Sequence, residues 1–218
     1  DITVFDELDN AADDYAGANS TITSGALSTL LESNNVSLAA VNDIEVFGDA
    51  DISWSAASTL SLNAGDSIYI YSGAVISNTS TETNSAFAPN SLYAIEMVAN
   101  GSTSGSTGVY INGATLSTES MGINIQGQGR TTGTANGGYG VYIFGASQIS
   151  TAFGEVAITG TGGNSSGLEN DGVRIIGATI NVNDGSMTID GTGGTNIDTP
   201  GYAERGIRIG GATLISSS

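Results

Sequence analysis

Six residues at one position of a repeating pattern carry much of the side-chain chemistry of this chain: Glu45, Tyr69, Tyr110, Tyr142, Arg174 and Arg208. Each is the middle residue of an apolar-X-apolar triplet, from Ile44-Glu45-Val46 through Val109-Tyr110-Ile111 to Ile207-Arg208-Ile209. In an extended strand the flanking residues turn to one side and the middle residue to the other. If successive triplets stack, the six form one outward ladder in which tyrosine rings meet one another and arginines meet rings. An exposed aromatic strip also suits stacking against sugar rings. The plainer reading is stabilisation of the sheet, since tyrosine favours strands for its packing alone. Arg205 lies beside Arg208, so a small positive patch on an acidic body is expected there, suited to an acidic surface of another copy.

Carboxylates supply the second chemistry. Asp6, Glu7, Asp9, Asp13 and Asp14 crowd one stretch, and Asp49 with Asp51 makes a second pair. Hard oxygen ligands of this kind suit calcium. No segment fits an EF-hand loop or a glycine-rich nonapeptide calcium repeat, and a solvated acidic face accounts for the same residues. No other cofactor is expected.

What is missing narrows the field further. The 218 residues include no His and no Cys, and the four basic residues are all arginines, Arg130, Arg174, Arg205 and Arg208. Imidazole bases, thiolate nucleophiles and ordinary zinc sites are therefore ruled out. A net charge of −18 repels phosphate backbones and anionic bilayers, which sets aside nucleic acid as a partner. No apolar run approaches the length of a spanning helix, so no membrane insertion is expected. Outward strand positions are chiefly Ser, Thr, Asn, Tyr and Gly, with acidic residues scattered in turns, a poor setting for paired catalytic carboxylates. The chain is read as not an enzyme; a polysaccharide-degrading β-helix enzyme is the remote alternative.

These residues need a frame, and the repeats provide it. Gly108-Val-Tyr-Ile-Asn-Gly-Ala-Thr-Leu116, Gly140-Val-Tyr-Ile-Phe-Gly-Ala-Ser-Gln148, Gly172-Val-Arg-Ile-Ile-Gly-Ala-Thr-Ile180 and Gly206-Ile-Arg-Ile-Gly-Gly-Ala-Thr-Leu214 align. Between them lie Ile123-Asn-Ile-Gln-Gly127, Val156-Ala-Ile-Thr-Gly160 and Met187-Thr-Ile-Asp-Gly191. Earlier, Val36-Ser-Leu38 matches Leu60-Ser-Leu62, Ile44-Glu-Val46 matches Ile68-Tyr-Ile70, and Ala50-Asp-Ile52 matches Ala74-Val-Ile76, with Ile95-Glu-Met97 filling the gap before Gly108. Short strands of period two, broken by glycine at fixed points, predict an all-β solenoid, a parallel β-helix of about six coils over 35–218. Its inward columns are Val109, Val141, Val173 and Ile207; Ile111, Ile143, Ile175 and Ile209; and Ala114, Ala146, Ala178 and Ala212. Thr115, Ser147, Thr179 and Thr213 make an outward hydroxyl column. Gly113, Gly145, Gly177 and Gly211 mark a corner of positive φ. Gln148 breaks the pattern, which predicts a bulge that hands its core place to Ile149. The longer segments 78–91, 128–139, 161–171 and 192–205 are expected at one corner.

Residues 1–34 form a separate N-terminal unit: a strand at Ile2–Phe5, the acidic loop, and a short flanking helix over 24–33 with Leu27, Leu30 and Leu31 turned to the core. The stretch from Ile22-Thr-Ser-Gly-Ala-Leu-Ser-Thr-Leu-Leu through Asn34-Asn-Val-Ser-Leu38 and Ile44-Glu-Val46, then Ile52-Ser-Trp54 and Leu60-Ser-Leu-Asn-Ala-Gly-Asp-Ser-Ile-Tyr-Ile70, resembles the filamentous-haemagglutinin type of repeat in large secreted bacterial adhesins. The resemblance covers about residues 22–77, and the rest looks like looser repeats of such proteins. It implies a right-handed β-helix, a secreted or cell-surface location, and a role in adhesion or biofilm as part of a fibre meeting a host or neighbouring-cell glycan or protein. The secretion-recognition motifs Asn-Pro-Asn-Gly and Asn-Pro-Asn-Leu are absent. The chain stops after the first part of a coil without a capping pattern, so a second expectation is a subunit joined head to tail with other copies, through edges at Ile2, Val4, Ile207, Ile209 and Leu214.

Overall fold

A computed structural model describes residues 1–5, 20–82, 93–101, 107–131, 137–166, 169–196 and 204–217. Three parallel sheets carry almost all of it. The first, which we call the aromatic face, has eight strands in the spatial order Ser20–Thr23, Ile2–Phe5, Ile44–Val46, Ile68–Ile70, Val109–Asn112, Val141–Phe144, Val173–Ile176 and Ile207–Gly210. The second, the hydroxyl face, stacks Asp51–Trp54, Val75–Asn78, Thr115–Thr118, Gln148–Thr151, Thr179–Asp184 and Thr213–Ser217. The third, the glycine-ended face, stacks Val36–Ala40, Leu60–Ala64, Tyr93–Ala99, Gly122–Gln128, Val156–Thr161 and Met187–Thr192. From Val36 onward the chain visits the glycine-ended, aromatic and hydroxyl faces in that order, and then begins again. Every strand pair is parallel, and each strand lies beside its counterpart from the round before.

Alternation explains why such short strands are stable here. Ile68, Ile70, Val109, Ile111, Val141, Ile143, Val173 and Ile175 are all completely buried, while the residues between them are half-exposed. Like meets like because the register pairs Val109 with Val141 and Val141 with Val173. Isolated, none of these triplets could bury its apolar pair; stacked, they form one continuous core.

At the N-terminal end the core is closed by the helix α1, Ser24–Leu31. Thr23 caps it, its Oγ1 accepting from Ala26 N–H at 3.2 Å. Leu27 and Leu31, one turn apart, are completely buried and packed on the Asp51–Trp54 strand. Leu30, expected to join them, is 46% exposed, because at helical spacing it falls to the side of the stripe that two buried leucines already fill. Past the helix, the Glu32 carboxylate accepts from Ser55 N–H at 2.9 Å, Ser55 Oγ at 2.9 Å and Ala56 N–H at 3.2 Å, which pins α1 to the turn after Trp54.

Several expectations are corrected by the register. Ile2 and Val4 are not a free edge: their strand lies between Ser20–Thr23 and Ile44–Val46, paired on both sides, and Val4 is completely buried. A strand with apolar residues at alternate positions gains most by entering the sheet interior, so the polar Ser20–Thr23 strand takes the edge instead. At the opposite end Ile207, Ile209 and Leu214 do lie on edge strands and are 41%, 47% and 37% exposed.

No bulge forms at Gln148, whose strand pairs in unbroken register on both sides; the extra residue is taken up in the turn before it, and Ile149 is still buried between Leu116 and Ile180. The extra residue is Ala146, exposed and held at φ 63°, so Ser147 and not Ala146 fills the small-residue core place between Ala114 and Ala178. The Ser147 hydroxyl donates to the Phe144 carbonyl, which satisfies it inside the core. Gln148 therefore takes the position of Thr115 and Thr179 in the outward hydroxyl column. Gly113, Gly145, Gly177 and Gly211 adopt φ of 60°, 67°, 64° and 57°, as their spacing requires.

The longer segments occupy two corners. Those around 128–139, 161–171 and 192–205 all connect the glycine-ended face to the aromatic face, while 78–91 connects the hydroxyl face to the glycine-ended one. At the first of these corners the last three strands of this face carry Gly127, Gly160 and Gly191 in register, each one residue before the strand's end. A β-carbon on them would stand 2.0, 2.1 and 2.1 Å from the carbonyl oxygens of Gly140, Gly172 and Gly206, which open the following aromatic-face strands. Each insertion is thus pinched at its base by two glycine backbones in contact.

Candidate functional site

On the aromatic face the expected ladder is present in full. Glu45 pairs with Tyr69, Tyr69 with Tyr110, Tyr110 with Tyr142, Tyr142 with Arg174 and Arg174 with Arg208. A second outward position two residues on adds Phe47, Tyr71 and Phe144, so the rings form a band two columns wide. Tyr69 stacks on Tyr71 at 6.1 Å between ring centroids and meets Tyr110 at 5.8 Å. Tyr110 presents an edge to Phe144 at 5.0 Å, and Phe144 stacks on Tyr142 at 4.4 Å with planes 12° apart. Such pairs each contribute roughly 0.5–1.5 kcal/mol beyond the area they bury.

Both ends of the band finish on a carboxylate. At the N-terminal end the Tyr71 hydroxyl donates to Glu45 Oε1 at 2.8 Å, and burial together with that bond raises its pKa well above the usual phenol value. At the other end Glu169, held at φ 66°, receives three side chains. Arg174 pairs with its Oε2 at 2.8 Å, Arg208 with its Oε1 at 3.0 Å, and the Tyr139 hydroxyl donates to Oε2 at 2.8 Å. Arg174 also donates to the Tyr139 hydroxyl, and its guanidinium carbon lies 4.9 Å from the Tyr139 ring centre and 5.3 Å from that of Tyr142. Three strands and two insertions are tied together by this knot.

The hydrogen bonds from Arg174 and Tyr139, and then from Arg208, lower the Glu169 pKa from 4.5 to about 2. Because the folded-state value is depressed, the stabilisation is complete above about pH 4.5 and is lost as pH falls toward 2. The Glu169 side chain is 43% exposed, so screening limits the contribution to about 1 kcal/mol or less. We expect Glu169→Gln to lower the urea midpoint at pH 7, and the gap from the parent to close as the pH approaches 2. Asp43 and Glu96 act in the opposite sense: burial raises their pKa values, so acidification relieves them. An unchanged gap between pH 7 and pH 2 would remove the charge from this account.

Phe47, Tyr71 and Phe144 were legible as outward residues at i+2 from the ladder. Tyr139 and Glu169 belong to the insertions, where no period operates, and nothing in the sequence pairs them with Arg174. Of the calcium candidates, Asp6, Glu7, Asp9, Asp13 and Asp14 lie outside the described residues. Asp49 is exposed in a turn and Asp51 at the start of the Asp51–Trp54 strand, where Asp51 accepts from the Ser53 hydroxyl. Among the described residues no three Asp or Glu side chains gather in a group able to hold a metal ion, and no helix is long and apolar enough to cross a membrane.

No family model, no curated protein and no solved structure matches this chain.

Proposed function

We propose that this chain is a stretch of right-handed parallel β-helix from a secreted bacterial surface fibre of the filamentous-haemagglutinin kind, and that its role is structural and adhesive rather than catalytic. The observation that carries the reading is the register: three parallel sheets visited in a constant order, with like residues stacked on like. That arrangement suits a rod, in which each round adds about 4.8 Å of length and needs only its neighbours for stability. The aromatic band is the natural contact for a host or neighbouring-cell glycan or protein, since its half-exposed rings are flanked by Arg174, Arg208 and hydroxyls. Weak contacts of this kind gain strength by repetition along a fibre.

Beads coated densely with the chain, applied to printed glycan arrays and to epithelial cells, test the adhesive part. We expect binding that falls at least about fivefold in a Tyr110→Ser, Tyr142→Ser double variant whose circular dichroism still shows the parent's β content. Equal binding by both proteins would remove the band from recognition, and no binding at any density would leave only the structural role.

A self-assembling filament is the second reading, favoured by one observation. The edge strands Ile207–Gly210 and Thr213–Ser217 expose Ile207, Ile209, Leu214 and Ile215, the last at 45%. Electron microscopy of negatively stained protein separates the two: filaments longer than a single chain support assembly, and isolated short rods oppose it.

A further inference from the structure

The corner that carries Glu169 also holds two carboxylate oxygens that no bond among the described residues accounts for. Asp171 is 1% exposed; its Oδ1 accepts from Arg205 N–H at 3.1 Å, while its Oδ2 is buried without a partner among the described residues. Glu204 mirrors it from the next round of chain: its Oε2 accepts from Asn170 N–H at 2.8 Å, and its Oε1 is buried without a partner among the described residues. Each acid thus bonds the backbone of the residue adjoining the other, which holds residues 170–171 against 204–205. The link is completed by Gly172 N–H donating to Arg205 O at 2.9 Å.

Burying carboxylate oxygens is costly unless a cation or donors meet them. The neighbouring guanidiniums of Arg174 and Arg208 are turned to Glu169, and the side chain of Arg205 is exposed. We propose that Asp171 and Glu204 bind a divalent cation, with calcium preferred, at the corner between the glycine-ended and aromatic faces. Calcium accepts carboxylate, carbonyl and water oxygens in irregular geometry, so two carboxylates suffice when backbone oxygens and water complete the shell. Glycine-rich turns supply such backbone: Gly162 and Gly163 precede the first acid, Gly193 and Gly194 the second, and a β-carbon on Gly193 would come within 2.5 Å of Glu204 O. Two charged ligands place the affinity in the weak range of extracellular calcium modules, roughly 10⁻⁴–10⁻³ M. The ion would clasp two successive insertions, so calcium would stiffen the corner next to the aromatic band.

Terbium is the direct probe, since Tyr139 lies within reach as a sensitiser: it precedes Gly140, whose N–H donates to the Asp171 carbonyl at 3.1 Å. After removal of metal by chelation, the 218-residue chain should give tyrosine-sensitised terbium emission that calcium displaces and magnesium displaces poorly. At about a hundredfold excess of calcium over Kd the melting temperature should rise by roughly 5–10 °C. Asp171→Asn should remove the sensitised site and that rise, and Glu204→Gln should weaken binding at least about tenfold. Should Asp171→Asn fail to fold, Glu204→Gln alone carries the same comparison. Terbium emission and calcium-dependent melting at parent strength in the variants would overturn the proposal, as would a parent chain indifferent to calcium.

Discussion

Alanine at Gly160 is expected to be among the most damaging single-methyl changes this protein can suffer, costing about 3 kcal/mol or more. The added β-carbon would meet the Gly172 carbonyl oxygen at 2.1 Å, its carbon at 2.7 Å and Val173 Cγ2 at 2.7 Å. None of these can yield cheaply. The Gly172 carbonyl belongs to the chain entering the aromatic face, where Val141 N–H donates to it at 2.9 Å, and Val173 is fully buried in the core. Relief would require the two strands to part at the base of the 161–171 insertion, which would also shift Glu169 away from Arg174. Gly210→Ala supplies the control, because its β-carbon would meet only Ile176 Cδ1 at 3.2 Å, the movable tip of a side chain. Equilibrium urea unfolding should show a large loss for the first variant and a change within about 0.5 kcal/mol for the second. Equal costs would mean that the pinched glycine neck does not govern stability.

Along the column Ile111, Ile143, Ile175 and Ile209 the same substitution should have very different effects. Ile143→Ala removes a completely buried side chain held between Ile111 and Ile175, and should cost about 3–4 kcal/mol through lost burial and the cavity left behind. Ile209→Ala removes a side chain that is 47% exposed, and should cost less than about 1 kcal/mol. Trp54, the single tryptophan, is 2% exposed beside α1 and donates to Ser58 O at 3.2 Å, so its fluorescence reports on the far end of the stack. In a continuous stack of rounds, Ile143→Ala should also let the C-terminal end unfold, read as a loss of β circular dichroism, before the tryptophan signal moves. A single coincident transition in both probes would show that the whole stack unfolds as one unit.

Much of this fold was legible in the residues because period two and a recurring glycine are local properties. Val109-Tyr110-Ile111 and its counterparts declare both which side is buried and which rung stacks on which, and that is why the ladder from Glu45 to Arg208 is readable in the residues alone. Gly113 and its equivalents likewise mark a positive φ that other residues resist. The failures share a cause as well. Ala146 and Ser147 could not be ordered from sequence, because one inserted residue leaves two small side chains competing for a single core place, and only the packed neighbours decide between them. Ile2–Phe5 looked like an edge because pairing partners are chosen in space, and Ser20–Thr23, more polar, was the better strand to leave exposed.

The repeat, its inward columns and its outward ladder follow from side-chain alternation along a strand, which is written into the order of the residues. Only the tertiary structure placed Glu169 and Tyr139 against Arg174, and Asp171 opposite Glu204. Those contacts join insertions whose course obeys no period, and their geometry is set where Gly160 and Gly172 bring two backbones together. Chemistry gathers at that corner because it is the place where the chain leaves the repeat and must satisfy its polar groups one by one.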